Sequence, residues 1–251
     1  MLEVAEELRP LLSGAWRRAR GSGVVAGLPA GRNVTLGHLV QSVGVPLTEV
    51  GALIRDDGQR VEHSYRPGAG EVVRVEPPVR PQRLAQPRFL LDVHLGALCR
   101  RLRLLGLDVA YHRDDVGDDA LIAEAAREGR VLLTRDRGLL RRRAVPRGAY
   151  VRSEWPEAQV RDVLSRFAPP LAPFTRCVSC GARLRSVPRA EVLAEVEAGT
   201  RRTATRFTRC DGCGRVYWRG AHARRLDDLI AAATASCARP QILPAGADEQ
   251  G

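Results

Sequence analysis

The chain has 251 residues, of which 44% are hydrophobic and 27% are charged, a composition typical of a folded protein with one large or two to three small domains. Its formal net charge of +11 is carried by arginine alone, because the sequence contains no lysine. The absence of lysine excludes a P-loop NTPase, a Schiff-base enzyme and a receiver-type domain. No apolar run approaches the ~18 residues of a transmembrane helix, so we expect no membrane partner.

The positive charge is concentrated in the last two thirds of the chain. Residues 1–80 carry 10 arginines and 9 acids, residues 81–165 carry 16 and 12, and residues 166–251 carry 14 and 8. This imbalance favours the attraction of a polyanion such as RNA to the later segments. Scattered arginines on a solvated surface give the same composition, so the charge alone does not establish a binding site.

Residues 1–80 predict a small α+β domain. We expect a helix over residues 36–43, a hairpin around the Asp57-Gly58 turn and a closing strand over residues 72–75. The opening stretch MLEVAEELRPLL fits a strand and a helix equally well, so the bounds of the first strand stay open. It also has acidic residues where a secretion signal needs a basic region and an apolar core, so we expect a cytoplasmic protein. The proline-rich residues 76–81 predict a stiff linker.

The segment from residue 89 to residue 143 organises the rest of the chain. It contains two short apolar runs, residues 89–91 and 131–134, and each ends at or next to an aspartate. In a parallel sheet such runs are buried strands, and groups just past their carboxyl ends converge in one crevice. We therefore expect Asp92 and Asp136 to be neighbours.

A third acidic group lies between these two strands. Asp118 and Asp119 directly precede a stretch with helical apolar spacing. Carboxylates that lie close together either raise one another's pKa or share a cation, and Mg²⁺ or Mn²⁺ binds such oxygen ligands together with substrate phosphates. The set Asp92, Asp118 or Asp119, and Asp136 therefore predicts a metal-dependent phosphodiesterase site. Alternatively, Asp118 or Asp119 caps a helix, worth ~1 kcal/mol, and Asp136 opens the turn into Gly138.

The helix after Asp92 and the run LLRRR after Asp136 supply further candidates. Leucines at positions 95, 98, 102 and 105 share one helix face, with Cys99 expected to be buried beside them. His94 stands where a haloacid-dehalogenase phosphatase needs a second aspartate, which disfavours that class. Arg100, Arg101 and Arg103 lie off the leucine stripe and are expected to be solvated or to contact phosphate. The strongest candidates for phosphate contacts are Arg141, Arg142 and Arg143.

Two CxxC pairs follow a proline-rich linker. Cys177 and Cys180 form the first, and Cys210 and Cys213 form the second. Two such knuckles supply the four thiolates of a tetrahedral Zn²⁺ site, and because all four positions are filled the zinc is structural. Disulfides or free thiols are the alternatives, and a cytosolic setting disfavours disulfides. A glycine follows each second cysteine, where the knuckle turn favours a positive φ.

The insert between the knuckles shows a helical pattern over residues 191–196 and a basic run over residues 201–206. Tyr217 and Trp218 lie between two arginines, and such aromatic side chains stack on unpaired bases. A zinc ribbon also needs aromatic residues for its own core, so one of them is expected to be used there. Residues 227–251, rich in proline and glycine at the end, predict a disordered tail.

At these motifs the sequence resembles a known family. FLLDVHLGALCRRLRLLGLDV, GDDALIAEAAREGRVLLTRDRGLLRRR, RCVSCGARL and RCDGCGRVYWRGAH together resemble the Mut7-C RNase family. The resemblance implies an α/β fold with a PIN-like nuclease domain over residues 84–168 built on a central parallel sheet. It further implies a preceding ubiquitin-like β-grasp domain over residues 1–80 and a four-cysteine zinc ribbon over residues 171–226. It favours Asp118 over Asp119 as the ligand.

Two functions are consistent with these features. The first is a Mg²⁺- or Mn²⁺-dependent ribonuclease that cleaves single-stranded or structured RNA, with the ribbon assisting RNA binding. The second is a non-catalytic RNA-binding or scaffolding adaptor that uses the zinc ribbon and the β-grasp domain. The intact set of aspartates favours the enzyme. The β-grasp domain lacks the Gly-Gly tail of a conjugated modifier, so we expect it to contact a protein partner as an interaction unit.

Overall fold

The computed structural model describes residues 1–17, 24–25, 34–218 and 231. These residues form two compact units. The first comprises Met1–Val79, Arg88–Gly96 and Ala110–Arg152, and the second comprises Arg80–Pro87, Ala97–Val109 and the described residues from Ser153 onward. Within this described part of the chain, every helix is too short or too polar to cross a lipid bilayer.

The amino-terminal part of the first unit is a small α+β domain, as predicted. Its five strands follow the order β2-β1-β5-β3-β4, with β1 parallel to β5 and the other neighbours antiparallel. A 3₁₀ helix over Glu6–Leu11 follows the first strand, so the ambiguous opening stretch contains both a strand and a helix. The elements are β1 (Leu2–Val4), α1 (Gly14–Arg17), β2 (Val24–Val25), α2 (Leu36–Ser42), β3 (Ala52–Arg55), β4 (Arg60–Val61) and β5 (Val73–Glu76).

Local signals in the sequence explain these elements. The side chain of Thr35 caps α2 by accepting a hydrogen bond from the amide of His38. The β3–β4 hairpin turns at Asp57-Gly58, as expected. One apolar core joins the sheet to α2 and the 3₁₀ helix, and its main buried residues are Leu2, Val4, Leu8, Leu11, Leu36, Leu39, Val40, Val43, Val45, Leu53, Val73 and Val75.

The second sheet confirms the predicted central parallel sheet. Its order is β7-β6-β8-β9, and β8 lies parallel to both β6 and β9. The strand β8 is fully buried, as expected of an apolar run inside a parallel sheet. The elements are β6 (Arg88–Leu91), α3 (Gly96–Leu104), β7 (Asp108–Tyr111), α4 (Asp118–Glu128), β8 (Val131–Thr134), α5 (Arg137–Leu140) and β9 (Gly148–Tyr150).

The second unit contains two further helices and a three-stranded antiparallel sheet of the order β10-β11-β12. This sheet carries the cysteine pairs and has a small core of its own, formed by Val187, Val192, Val196, Ala204 and Phe207. The elements are α6 (Pro156–Phe167), β10 (Leu184–Val187), α7 (Ala198–Thr203), β11 (Phe207–Cys210) and β12 (Val216–Trp218).

The helix predicted over residues 191–196 is wrong. A 3₁₀ turn covers Arg189–Glu191, turns follow, and the regular helix begins only at Ala198. Val192 and Val196 have the four-residue spacing of a helix because both side chains are buried in the small core. The backbone that carries them forms turns and not a regular helix. The last residues assigned to the ribbon, 219–226, and the tail predicted over residues 227–251 lie outside the described residues, apart from position 231.

Candidate functional site

The ends of β6 and β8 meet at a buried threonine. Leu91 pairs with Leu133, which places Asp92 and Thr134 side by side at the carboxyl ends of the two strands. The hydroxyl of Thr134 donates to Oδ2 of Asp92 at 2.6 Å and accepts from the backbone amide of Asp136 at 2.9 Å. Thr134 is fully buried and Asp92 nearly so. Thr134 therefore connects the two aspartates that the sequence predicts to be neighbours.

Thr134 was not among the residues that the sequence singled out. The signal is nevertheless present in the sequence, because a threonine ends the apolar run VLLT two residues before Asp136. A hydroxyl at that position has both a donor and an acceptor function, so it can bind a carboxylate and a backbone amide at the same time. Valine, which has the same shape, can do neither.

Asp136 also caps the short helix α5. Its Oδ1 accepts a 2.6 Å hydrogen bond from the amide of Gly138, which is the turn-opening role considered as an alternative. Asp92 has no such role, since its side chain makes no capping hydrogen bond to the 3₁₀ turn that follows it. The two aspartates thus differ. The carboxylate of Asp92 binds the Thr134 hydroxyl, whereas Asp136 is exposed and supports local backbone structure.

Asp118 and Asp119 occupy the first turn of α4 but do not cap it. Gly117 is the N-cap and supplies no side chain. Both carboxylates instead pair with Arg142, at 3.6 Å from Asp118 and at closer range from Asp119. Their negative charge at a helix start is favourable, since the helix dipole places positive charge there. The structure therefore joins two predicted catalytic residues to a predicted RNA-binding residue.

Across the described residues, the four aspartates do not form one compact group. The only set of three or more His, Cys, Asp or Glu residues whose ligand atoms all lie within 4.8 Å of one another is the set of four cysteines. The structure links Asp92 to Asp136 through Thr134, and it places Asp118 and Asp119 against Arg142. The catalytic role of this acidic set stays a prediction.

The cysteines form the cluster that their spacing predicts. The Sγ atoms of Cys177 and Cys213 lie 3.7 Å apart and those of Cys180 and Cys210 lie 3.3 Å apart, with no disulfide among them. Four thiolates at Zn–S distances of about 2.3 Å lie at similar separations around a tetrahedral ion. The donor set therefore fits structural Zn²⁺.

Hydrogen bonds and burial shift the pKa values of the clustered thiols in opposite directions. Burial opposes ionisation of Cys177, but the Tyr217 hydroxyl at 3.0 Å and the amides of Ser179 and Cys180 outweigh it and lower the pKa of this thiol to about 6. Burial raises the pKa of Cys180 to about 12. In each knuckle a backbone amide also donates to the first sulfur, and the glycines after the second cysteines have φ of 84° and 71°. Tyr217 is therefore used at the cluster.

Arg103 fixes the first knuckle to α3. The sequence predicted that this residue is solvated or contacts phosphate, and the structure corrects this, because Arg103 is only 4% exposed. Its Nε donates to the carbonyl of Val109 at 3.0 Å and its Nη1 to the carbonyl of Ser179 at 2.7 Å. A buried guanidinium needs such acceptors. Ser179, which lies between Cys177 and Cys180, thus supplies a hydrogen-bond acceptor to a buried arginine of α3.

Comparisons with known families agree with this architecture. The family described as the Mut7-C RNAse domain matches residues 87–230, and the family described as Mut7-C ubiquitin matches residues 1–83. No curated protein and no solved structure gives a significant match. The first match covers more than half of the chain and includes β6 to β9 as well as all four clustered cysteines. The chain therefore belongs to the Mut7-C RNAse domain family and carries a Mut7-C ubiquitin domain ahead of it.

Proposed function

We propose that this protein is a Mg²⁺- or Mn²⁺-dependent ribonuclease that hydrolyses RNA phosphodiester bonds at the carboxyl ends of β6 and β8. The observation that supports it best is the bridge from Asp92 through the hydroxyl of Thr134 to the amide of Asp136. Open α/β sheets bind their ligands outside the carboxyl ends of their strands, and the nearly buried Asp92 carboxylate is held in a fixed orientation at that edge.

The acidic residues provide suitable donors for such an ion. Carboxylate oxygens are the ligands that Mg²⁺ and Mn²⁺ prefer, and Asp92 and Asp136 would hold the ion with the help of the RNA phosphate. A bound ion would activate water and neutralise the charge that develops on the phosphate. Thr134 fixes the orientation of the Asp92 carboxylate, and the amide of Gly138 fixes that of Asp136.

The ion pairs of Arg142 suggest how Asp118 and Asp119 take part. Arg142 is an exposed arginine that binds both carboxylates at the start of α4. A phosphate of the RNA competes for the same guanidinium, because arginine binds phosphate and carboxylate with the same planar set of donors. We propose that RNA takes over Arg142 and so releases Asp118, the more buried of the two aspartates, for the catalytic centre.

Exposed side chains are the candidates for additional contacts with RNA. Arg141 and Arg143 are exposed and follow α5, and we propose that both bind phosphate. In the ribbon, Trp218 is 42% exposed and is available for stacking on a base. Tyr217 is half-buried with its hydroxyl against Cys177, so we propose that it contributes less to RNA binding than Trp218 does.

The remaining assignments complete this proposal. The substrate is single-stranded or structured RNA, the protein acts in the cytoplasm, and the ubiquitin-like domain also offers a surface to a protein partner. The ribbon carries structural Zn²⁺, for which the four cysteines are the ligands. The proposed domain limits are residues 1–80 for the ubiquitin-like domain, 84–168 for the PIN-like nuclease domain and 171–226 for the zinc ribbon.

A specific observation favours the adaptor as a second candidate. Asp118, Asp119 and Asp136 each have a structural partner, namely Arg142 or the amide of Gly138. In a protein that binds RNA without cleaving it, these contacts would be sufficient reason for the three carboxylates. Asp92 differs from these three, because it caps no helix and its carboxylate is nearly buried and oriented by the Thr134 hydroxyl.

The decisive experiment compares cleavage of a labelled single-stranded RNA by the full-length protein and by Asp92→Asn, with Mn²⁺ or Mg²⁺ added or withheld. We expect metal-dependent cleavage by the unmodified protein and a loss of at least a hundredfold in the variant. Asp162→Asn is the matched control, since this aspartate lies on α6 and pairs with Arg80. If Asp92→Asn cleaves as fast as the unmodified protein, the ribonuclease assignment at these residues fails.

A further inference from the structure

The ubiquitin-like domain holds the segment that carries Asp136. Nη1 of Arg137, the residue after Asp136, donates to the carbonyls of Leu11 and Leu12 at 2.9 and 3.2 Å. From the same domain, Nε2 of Gln41 donates to the carbonyl of Arg141 at 3.0 Å. Both ends of α5 are therefore bound to residues of the amino-terminal domain, and both partners belong to the same compact unit.

A second set of contacts holds the strand next to β8. Glu49 is completely buried, and its Oε1 accepts a 2.8 Å hydrogen bond from the amide of Tyr150 on β9. Its other oxygen lies 3.8 Å from the guanidinium of Arg152. The ring of Tyr150 packs against the core of the ubiquitin-like domain. The two domains are thus joined by buried polar and apolar contacts beside the proposed catalytic aspartates.

A cavity lies at this junction. Its volume is about 390 Å³, and two loop residues of the ubiquitin-like domain form one side of its lining. The other side consists of Asp136 and its neighbours along the chain. Three arginines and one aspartate give this lining an excess of positive charge. The lining residues are Ser13, Gly44, Arg135, Asp136, Arg137, Gly138 and Arg141.

The wall from the ubiquitin-like domain is closely packed. The amide of Ser13 donates to the carbonyl of Val43 at 2.8 Å, which fixes the loop after the 3₁₀ helix against the end of α2. A Cβ atom at Gly44 would lie 2.6 Å from the amide nitrogen of Ser13, and Gly44 has φ of 108°. Only glycine fits at this position, so the wall holds a defined shape beside the arginines.

We propose that this cavity is a subsite for a backbone phosphate of the RNA, next to the bond that is cleaved, and that the ubiquitin-like domain therefore forms part of the substrate-binding site. This inference rests on the proposed ribonuclease function. Guanidinium groups provide planar sets of donors that match phosphate oxygens, and each has five N–H groups. Arg137 uses two donor contacts to bind Leu11 and Leu12. Its remaining N–H groups, together with Arg141, supply donors to a phosphate.

The size and location of the cavity point to a nucleotide of the substrate. A volume near 390 Å³ falls within the range of small-ligand sites, which suits one phosphate with its sugar. Asp136 lines the same cavity, so a phosphate held by the arginines lies beside a residue of the proposed catalytic set. The excess of arginine prevents the single carboxylate from repelling the anion.

The test uses the full-length protein and measures binding separately from cleavage. The probe is a fluorescein-labelled, 2′-O-methylated single-stranded oligonucleotide, its binding is followed by anisotropy without added Mg²⁺ or Mn²⁺, and a gel verifies that it stays intact. Arg141→Ala removes a charge from the cavity, and Ser13→Glu adds a negative charge from the ubiquitin-like side. The matched controls are Arg147→Ala and Ser64→Glu, two exposed positions outside the cavity lining. Unfolding midpoints establish that each variant is folded.

We expect Arg141→Ala and Ser13→Glu each to weaken RNA binding by about five- to tenfold. Arg141→Ala should also reduce the slope of binding affinity against salt concentration by about the amount that one phosphate contact contributes. The two controls should bind within twofold of the unmodified protein. If Ser13→Glu and Arg141→Ala bind as tightly as their controls, the subsite is overturned even where cleavage is intact. If binding falls as expected but the unmodified protein cleaves no RNA with any metal, the ribonuclease proposal fails, and the cavity stands as a phosphate site for RNA that is bound without being cleaved.

Discussion

The hydroxyl of Thr134 donates a 2.6 Å hydrogen bond to the carboxylate of Asp92, across two neighbouring parallel strands. The same hydroxyl accepts from the amide of Asp136. One buried oxygen atom thus sets the orientation of an acid on one strand and the start of the chain segment that follows the other. A change at Thr134 is therefore expected to affect both aspartates without removing either carboxylate.

Thr134→Val tests this bridge, because valine keeps the shape of the side chain and removes the hydroxyl. The nearly buried Asp92 carboxylate would lose its donor, so we expect a loss of about 1–3 kcal/mol in the free energy of unfolding. RNA cleavage should fall at least tenfold. Thr134→Ser retains the hydroxyl and serves as the control, with cleavage close to that of the unmodified protein. Denaturant unfolding and a cleavage assay measure the two effects. If Thr134→Val and Thr134→Ser have the same stability and the same cleavage rate, the Thr134 hydroxyl does not have the proposed role.

Asp136 has two roles that substitutions can separate. Asparagine caps helices as well as aspartate does, so Asp136→Asn should leave the free energy of unfolding nearly unchanged, whereas Asp136→Ala should lower it by about 0.5–2 kcal/mol. Both variants lack the negative charge, so both should lose metal-dependent cleavage. Thermal unfolding and cleavage are measured for the two variants together. If Asp136→Asn cleaves RNA at the full rate, Asp136 serves only as a helix cap and not as a catalytic residue.

Asp118 and Asp119 are distinguished by their exposure. The side chain of Asp119 is 89% exposed and that of Asp118 is 51% exposed. Exposed ion pairs are worth about 0–1 kcal/mol, so neither Asp118→Asn nor Asp119→Asn should change the unfolding midpoint strongly. We expect Asp118→Asn to reduce cleavage steeply and Asp119→Asn to reduce it only a few-fold. The reverse order in a cleavage assay would make Asp119 the ligand.

Removal of zinc should unfold the ribbon. Binding of Zn²⁺ to four cysteines contributes about 10 kcal/mol or more to the folding of such a small unit. Chelation should therefore abolish amide protection in β10 to β12, and it should also weaken the first knuckle's contact with Arg103 at the carbonyl of Ser179. Hydrogen exchange before and after chelation measures this. Metal analysis that finds no zinc in reduced protein contradicts the assignment.

The hydroxyl of Tyr217 predicts a pH effect on zinc binding. Its hydrogen bond helps to lower the pKa of Cys177 to about 6, and zinc binds the thiolate, so acidification releases zinc as this sulfur takes up a proton. Tyr217→Phe should raise that pKa, so zinc should be lost at a higher pH than from the unmodified protein. Trp218→Phe, an aromatic change at the next position of β12, is the control. Zinc release is followed with a chromophoric chelator from pH 8 to 4.

The parts of the fold that the sequence predicted correctly depend on short-range patterns. The apolar runs before Asp92 and Asp136 have the length and composition of buried strands, and the spacing of the two CxxC pairs is that of a zinc ribbon. The strands and the cysteine cluster are both present. The prediction for the insert was wrong because Val192 and Val196 have the spacing of a helix. In the structure both side chains are buried in the small core of the ribbon, but they lie in turns and not in a helix.

The arginines could not be predicted because their partners lie far away in the sequence. Arginine is usually solvated, and nothing near Arg103 or Arg137 indicates a buried acceptor. Their acceptors are the carbonyls of Ser179 and of Leu11 and Leu12, and a carbonyl carries no signal in the residue type. The same holds for Arg142, whose pairing with Asp118 and Asp119 depends on how α4 and α5 lie on the sheet.

The contact of Arg137 with Leu11 and Leu12 spans more than 120 residues and sets an order of events during synthesis. The buried residues of the amino-terminal core all lie between Leu2 and Val75, so that domain can fold while the later strands are still being made. The carbonyls of Leu11 and Leu12 then belong to a domain that can fold before Arg137 emerges from the ribosome. We therefore expect the segment that bears Asp136 to assemble against a surface that has already folded, with the ubiquitin-like domain as the template for the chain segment that carries the predicted nuclease residues.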